Sequence, residues 1–333
     1  MKAAWLLALV AASLAAIDGA VVNRTSGKPQ AGVTVTLFKL EAGMDPVASA
    51  RTDASGRFTI DTPVSGAQLL QASWAGVTYN HMLQPGSPSS GLTLAIYDSS
   101  REAGGARLAQ RMVLLEPGAS KLAVRESYFF NNGGNITWND PAGGTLRFET
   151  PKGKVSGLQV MATAPGGMPI PRSAAKAGRE NGYKVDFPIR PGETRLDVNY
   201  EVPFTSPGKF ATRLVQKSDS TMLAVPTGVK VKGAGLAAEG QEPRSGAAVF
   251  RVTGDKLDVE IEGSGQLASA GATGEEDTGP PIQQIPARID EKRILLLALA
   301  AAILLVGFVR LLRSRKPEPA APPPPVPAKG KRK

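Results

Sequence analysis

The chain has 333 residues, enough for two ordinary domains that each bury a core of their own. Charged residues are 20% of it, and 37 Gly with 27 Pro suit many short strands and turns better than a helical body. The net charge of +10 sits at the ends: without Lys2, the eight bases from Arg310 onward and Glu318, 30 bases face 28 acids, a net of +2. The high pI is therefore a property of the tail and gives no support to nucleic-acid binding. With no cysteine, disulfides, thiol nucleophiles and thiolate metal sites are excluded.

At the start, Met1 and Lys2 precede an apolar run over residues 3–12, closed by the small residues Ser13, Ala15 and Ala16. A positive start, a short hydrophobic stretch and a small-residue cleavage site make residues 1–16 a secretory signal peptide, cut near Ala15 or Ala16. The competing reading is an uncleaved anchor; the shortness of the run and the strand pattern from Ile17 count against it. The two sequons at Asn23 and Asn135 read as chance matches in a bacterial chain.

From Ile17 the chain alternates strands and turns. Residues 17–23 lead through Thr25-Ser26-Gly27-Lys28-Pro29 to residues 32–40, where Val33, Val35 and Leu37 alternate with Thr34, Thr36 and Phe38. Period two marks a strand with one face in a core. Asp53 to Gly56 supplies turn chemistry before a strand at 57–60, and further strands are expected at 68–74, 77–82 and 92–97. Six or seven short strands in this span predict a small β-sandwich.

The stretch IDGAVVNRTSGKPQAGVTVTLFKL, followed by TDASGRFTI, resembles the carboxypeptidase regulatory-like domain. Gly19, Val21, Gly27, Pro29, Gly32, Val33, Val35 and Leu37 carry the likeness, with Thr52, Asp53, Gly56 and Phe58. The resemblance covers residues 17–98 and implies a transthyretin-like sandwich of the carbohydrate-binding-like kind, an accessory module without catalytic residues.

Residues 99–108, with Ser99, Ser100, Gly104 and Gly105, read as a linker. A second β-rich region at 109–262 follows, with strands expected at 111–115, 121–131, 145–148, 158–162, 183–187, 195–202, 209–214, 247–252 and 257–261. It is expected to form a larger, immunoglobulin-like sandwich. Residues 263–293, rich in Gly, Ala, Ser, Pro and acids, read as a flexible stalk. Residues 294–312 form an apolar run of 19, about 28 Å as a helix, and are expected to span a membrane once. The basic, Pro-rich tail at 313–333 sets the orientation by the positive-inside rule, with the tail cytoplasmic and the ectodomain periplasmic or extracellular. The fold class is thus all-β, two sandwiches and one C-terminal transmembrane helix, in a bacterial cell membrane.

The inventory for catalysis is thin. His81 is the sole histidine, no Gly-x-Ser-x-Gly elbow links a strand to a helix, and multi-histidine zinc sites cannot be assembled. Asp53, Asp61 and Glu41 could offer oxygen ligands to calcium, but no 12-residue calcium loop is present, and Asp before Gly is ordinary turn chemistry. Paired carboxylates for glycoside hydrolysis are not singled out. Trp74 and Tyr79, or Tyr128, Phe129, Phe130 and Trp138, could stack on sugar rings, although such residues more often fill sandwich cores. No catalytic, cofactor-binding or metal residue is nominated. The expected function is a non-enzymatic envelope protein that binds another envelope protein; the alternative is a glycan-binding module on cell-wall or extracellular polysaccharide.

Overall fold

The computed structural model describes residues 17–40, 43–64 and 66–267, and these residues are all-β, in several sheets and without a helix. The expected signal peptide at 1–16, Glu41, most of the expected stalk at 263–293, the apolar run 294–312 and the tail 313–333 lie outside the described residues.

The first eight strands form two sheets around one core. β1 (Ile17–Asn23) is the hub of the first sheet: it pairs antiparallel with β2 (Lys28–Pro29). In the second sheet β3 (Thr34–Lys39) pairs with β4 (Asp45–Arg51). β5 (Arg57–Ile60) returns to β1. β6 (Gln68–Trp74) and β7 (Val77–Leu83) complete the second sheet in the order β4-β3-β6-β7. β8 (Leu92–Ile96) closes the first sheet by pairing parallel with β1. The alternation read from the sequence is the burial pattern: Val35 and Leu37 of β3 are fully buried and meet Ile17, Val21, Leu70, Leu94 and Ile96 in one cluster.

The expected linker is structured. β9 (Ser99–Ser100) is a short strand, and the next strand, β10 (Ala106–Pro117), begins inside the stretch 99–108. β10 pairs along its length with β11 (Lys121–Asn132), and β12 (Thr137–Trp138) returns to pair parallel with β9. Beyond it come β13 (Leu146–Glu149), β14 (Ser156–Thr163), β15 (Ile170–Arg172), β16 (Ala174–Lys176), β17 (Gly182–Val185) and β18 (Gly192–Pro203). The last six are β19 (Gly208–Arg213), β20 (Ser218–Val225), β21 (Lys230–Gly233), β22 (Leu236–Gln241), β23 (Ala248–Val252) and β24 (Lys256–Glu262).

An eight-stranded sheet in the order β15-β14-β18-β11-β10-β20-β23-β22 forms the body of this second region. Two three-stranded sheets, β13-β17-β16 and β19-β24-β21, share its core through Leu146, Phe148, Val185, Phe210, Leu257 and Ile261. One broad sheet faced by two small ones differs from the expected immunoglobulin-like layout, whose seven to nine strands divide between two sheets. The difference arises at β20, which slots parallel beside β10 and extends the sheet to β23 and β22.

Gly19 shows how tightly the first module closes. A Cβ there would stand 2.3 Å from the Leu92 carbonyl oxygen, because β8 lies directly against β1. Gly19→Ala is expected to cost about 1–3 kcal/mol by forcing the parallel pair apart. Gly43→Ala, where a Cβ meets nothing within 4 Å, serves as the control, and denaturant melts of both variants check the difference.

Candidate functional site

The two β-regions meet at Asp98, just after β8. Its N–H donates to Thr25 Oγ1 (2.9 Å) and its carbonyl accepts from the Thr137 N–H (2.8 Å). Its Oδ1 accepts from Asn23 Nδ2 (2.8 Å) and Trp74 Nε1 (3.2 Å). Beside it the Tyr79 hydroxyl donates to the Tyr97 carbonyl (2.9 Å) and lies 2.9 Å from Thr137 Oγ1. The Arg190 guanidinium stands 5.7 Å from the Tyr79 ring centroid and 5.6 Å from that of Phe187. Burial lowers the Arg190 pKa and raises that of Tyr79, each the ordinary penalty on a charge deprived of water.

The aromatics considered for sugar stacking therefore have other work. Trp74, Tyr79 and Trp138 build the joint, where the Trp138 indole donates to the Arg101 carbonyl (3.1 Å) and packs edge-on against Phe130. Tyr128 and Phe130 are fully buried in the second core, and Phe129 lies half-buried beneath the Arg195 guanidinium. Asp53 is a turn residue: its Oδ1 accepts from the Ser55 and Arg57 N–H groups, both at 2.8 Å. Asp61 is exposed, and His81 is half-buried on β7 opposite Leu70. Asn23 is buried with its amide engaged, so its sequon is closed to modification in the fold.

Inside the second core lies an ion pair. Glu126 Oε2 accepts from Arg111 Nε (3.1 Å) and Nη2 and from the Tyr128 hydroxyl (2.6 Å), while Oε1 accepts from the Tyr200 hydroxyl (2.7 Å). All four side chains are buried. Burial works against the Arg111 charge, and the adjacent Glu126 carboxylate outweighs it and raises the pKa; burial drives both tyrosines well up. Every oxygen of Glu126 is satisfied within the sheet, which makes this cluster a structural element of the core.

The open chemistry lies on the surface between the small sheets. A cleft of about 390 Å³ runs between the end of β13 with the turn before β17, and the β19–β24 pair. Lys152, Arg179, Lys209, Arg213 and Lys256 line it, against Glu149 and Asp258. Glu149 is 7% exposed and lies 3.7 Å from both Arg179 Nε and Arg213 Nη1. The Thr212 hydroxyl donates to the Glu149 carbonyl (2.7 Å) and ties the two walls together. Among the described residues no group of three His, Asp or Glu could hold a metal ion. These bases come from two turns and two strands, and no contiguous motif marked them in the sequence.

The N-terminal region is a β-sandwich module, and residues 16–95 match the carboxypeptidase regulatory-like domain. The match covers that first module. No curated protein matches the chain. Similar solved structures include the M1 zinc metallopeptidase from Deinococcus radiodurans, 14% identical over 47% of this chain and 42% of that one, with a TM-score of 0.26. Native leukotriene A4 hydrolase from Saccharomyces cerevisiae is 6% identical over 48% of this chain and 30% of that one, with a TM-score of 0.31. The chain thus spans less than half of either, and likeness at this level assigns it no activity.

Two substitutions separate the roles of the joint and the core. Asp98→Ala leaves the Trp74 indole N–H without an acceptor and Asn23 with Gln30 alone; a loss of about 1–3 kcal/mol in denaturant unfolding is expected. Glu126→Leu strands the buried Arg111 charge, with an expected loss of about 3–5 kcal/mol. The double change Arg111→Met with Glu126→Leu should recover part of it in equilibrium unfolding, because no unpaired charge remains.

Proposed function

We propose that the chain is a non-enzymatic binding protein of a bacterial envelope, anchored by one membrane span at residues 294–312. Its β-regions act outside the cytoplasm and the tail 313–333 lies inside. The observation that carries this reading is the joint at Asp98: hydrogen bonds there hold a module that matches the carboxypeptidase regulatory-like domain against a second β-region, so that the two are presented together. A fixed pair of sandwiches on a stalk suits display to a partner. The signal-like start, the 19-residue apolar run and the basic flank beyond it support the anchored topology.

The preferred partner is another envelope protein. Glycan binding is the second reading, and the basic cleft is the observation that favours it. Topology is tested first. Alkaline phosphatase fused after Glu262 is expected to be active, and the same reporter after Lys333 inactive; the opposite pattern would refute the orientation. Affinity capture with the whole detergent-solubilised chain, followed by identification of retained envelope proteins, tests the partner class.

A further inference from the structure

We infer that the cleft between β13 and the β19–β24 pair binds an acidic glycan, a sugar chain carrying carboxylate or phosphate groups. The inference rests on the reading of residues 17–267 as a binding region and names the ligand class for its glycan alternative.

Charge is the first argument. Five bases against two acids line a cleft whose remaining walls include Pro151, Ala211 and Leu257, so an oxyanion entering it meets unmatched positive charge over an apolar base. The second argument is the geometry of Glu149. At 3.7 Å from each guanidinium it holds Arg179 and Arg213 in place, yet that is longer than the roughly 2.7–2.9 Å of a charge-assisted hydrogen bond. The guanidinium N–H groups of both arginines make no hydrogen bond among the described residues, and they remain available for planar or tetrahedral oxyanions.

The third argument is a like-charge pair. In the register of β19 with β24, Arg213 stands directly opposite Lys256. Like charges directly opposite on a sheet are destabilising, and an anion between them removes the cost. Lys209 and Lys256 are exposed and make no ion pair among the described residues.

The extent of the basic surface decides for a chain over a single ion. A second depression of about 790 Å³ shares Thr150, Lys152, Arg179 and Asn181 with the cleft and adds Lys154 and Lys176 against one acid, Glu180. Successive oxyanions along a polymer can therefore be met in turn. Nucleic acid fits less well. The aromatic ring on this track, Tyr183, stacks on Phe148 (5.3 Å) from β13 and lies under Lys176 Nζ (4.2 Å) from β16, so both ring faces are taken and no platform remains for a base.

The test uses the purified full-length chain in detergent, titrated by calorimetry with oligogalacturonate, its neutral methyl ester, a phosphomannan, poly-glutamate and single-stranded DNA. Salt-sensitive binding of oligogalacturonate or phosphomannan is expected, the stronger of the two naming the oxyanion. The ester should not bind, and poly-glutamate and DNA should bind at least about tenfold more weakly. Arg179→Ala with Arg213→Ala should weaken the glycan about tenfold or more. Arg24→Glu with Lys28→Glu, exposed in the first module, should leave it unchanged. Lys256→Gln guards against simple unfolding: it relieves the repulsion with Arg213, so the melting midpoint should hold or rise while binding weakens. No binding of either acidic glycan overturns the inference, as does equal binding of the ester, poly-glutamate or DNA, or parental affinity in the arginine variant. These outcomes are independent of the reporter fusions, so a failed ligand and a failed topology are told apart.

Discussion

The two β-regions are held together by a network of directed hydrogen bonds around Asp98, in which Thr25 also meets Asn135 and Tyr79 meets Thr137. Asp98 bonds to Thr25, Asn23 and Trp74 within the first module and to Thr137 across the joint, so the register of one module is tied directly to the other. A flexible connection of ten residues would leave the modules free to reorient. Here the connection is spent on β9, which pairs with β12, and on the turn into β10. The joint is mainly polar, and its precision comes from the fixed directions of hydrogen bonds where an apolar contact could slide.

The same economy sets the cleft. Its two walls belong to different small sheets, which are joined by side chains reaching backbone. Thr212 reaches the Glu149 carbonyl, while Gln216 donates to the Thr145 carbonyl (3.2 Å) and accepts from the Arg147 N–H (3.1 Å). In the broad sheet the Arg111–Glu126 pair links β10 to β11. A charge buried in this way is tolerated because two tyrosine hydroxyls complete its shell, and its contribution is to specificity of packing more than to net stability.

Much of the strand inventory was legible in the sequence, because a half-buried strand writes its alternation into the residues. β3 and β24 show it plainly, with Val35 and Leu37 buried between exposed or half-buried neighbours, and Leu257, Val259 and Ile261 between exposed ones. β4 was missed: Asp45–Arg51 is an edge strand with Pro46 and no buried residue, so it carries no hydrophobic period. β20 was missed because it opens on the polar run Ser218-Asp219-Ser220-Thr221, although Leu223 and Val225 reach the core. Without β20 the broad sheet could not be inferred. The cleft was illegible for a different reason: Lys152, Arg179, Lys209, Arg213 and Lys256 span more than a hundred positions, and only the pairing of β19 with β24 gathers part of them. The joint left a fainter trace, since Trp74, Tyr79 and Trp138 looked like surface aromatics or core residues and serve as neither alone.

The parallel pairing of β10 with β20 has a kinetic side. Leu108 meets Ser218 and Leu114 meets Ala224, so the centre of the broad sheet closes between segments about 110 residues apart. Closing so long a loop is entropically expensive and slow, whereas the first module needs nothing beyond β8 to complete its own two sheets. A chain delivered from its N-terminus therefore matures in two stages. The small module can assemble as soon as some hundred residues have emerged, and the larger one waits with β10 and β11 as an open hairpin until β20 arrives. During that interval β10 presents an unpaired edge, and the time it stays exposed is set by the rate at which the chain is supplied.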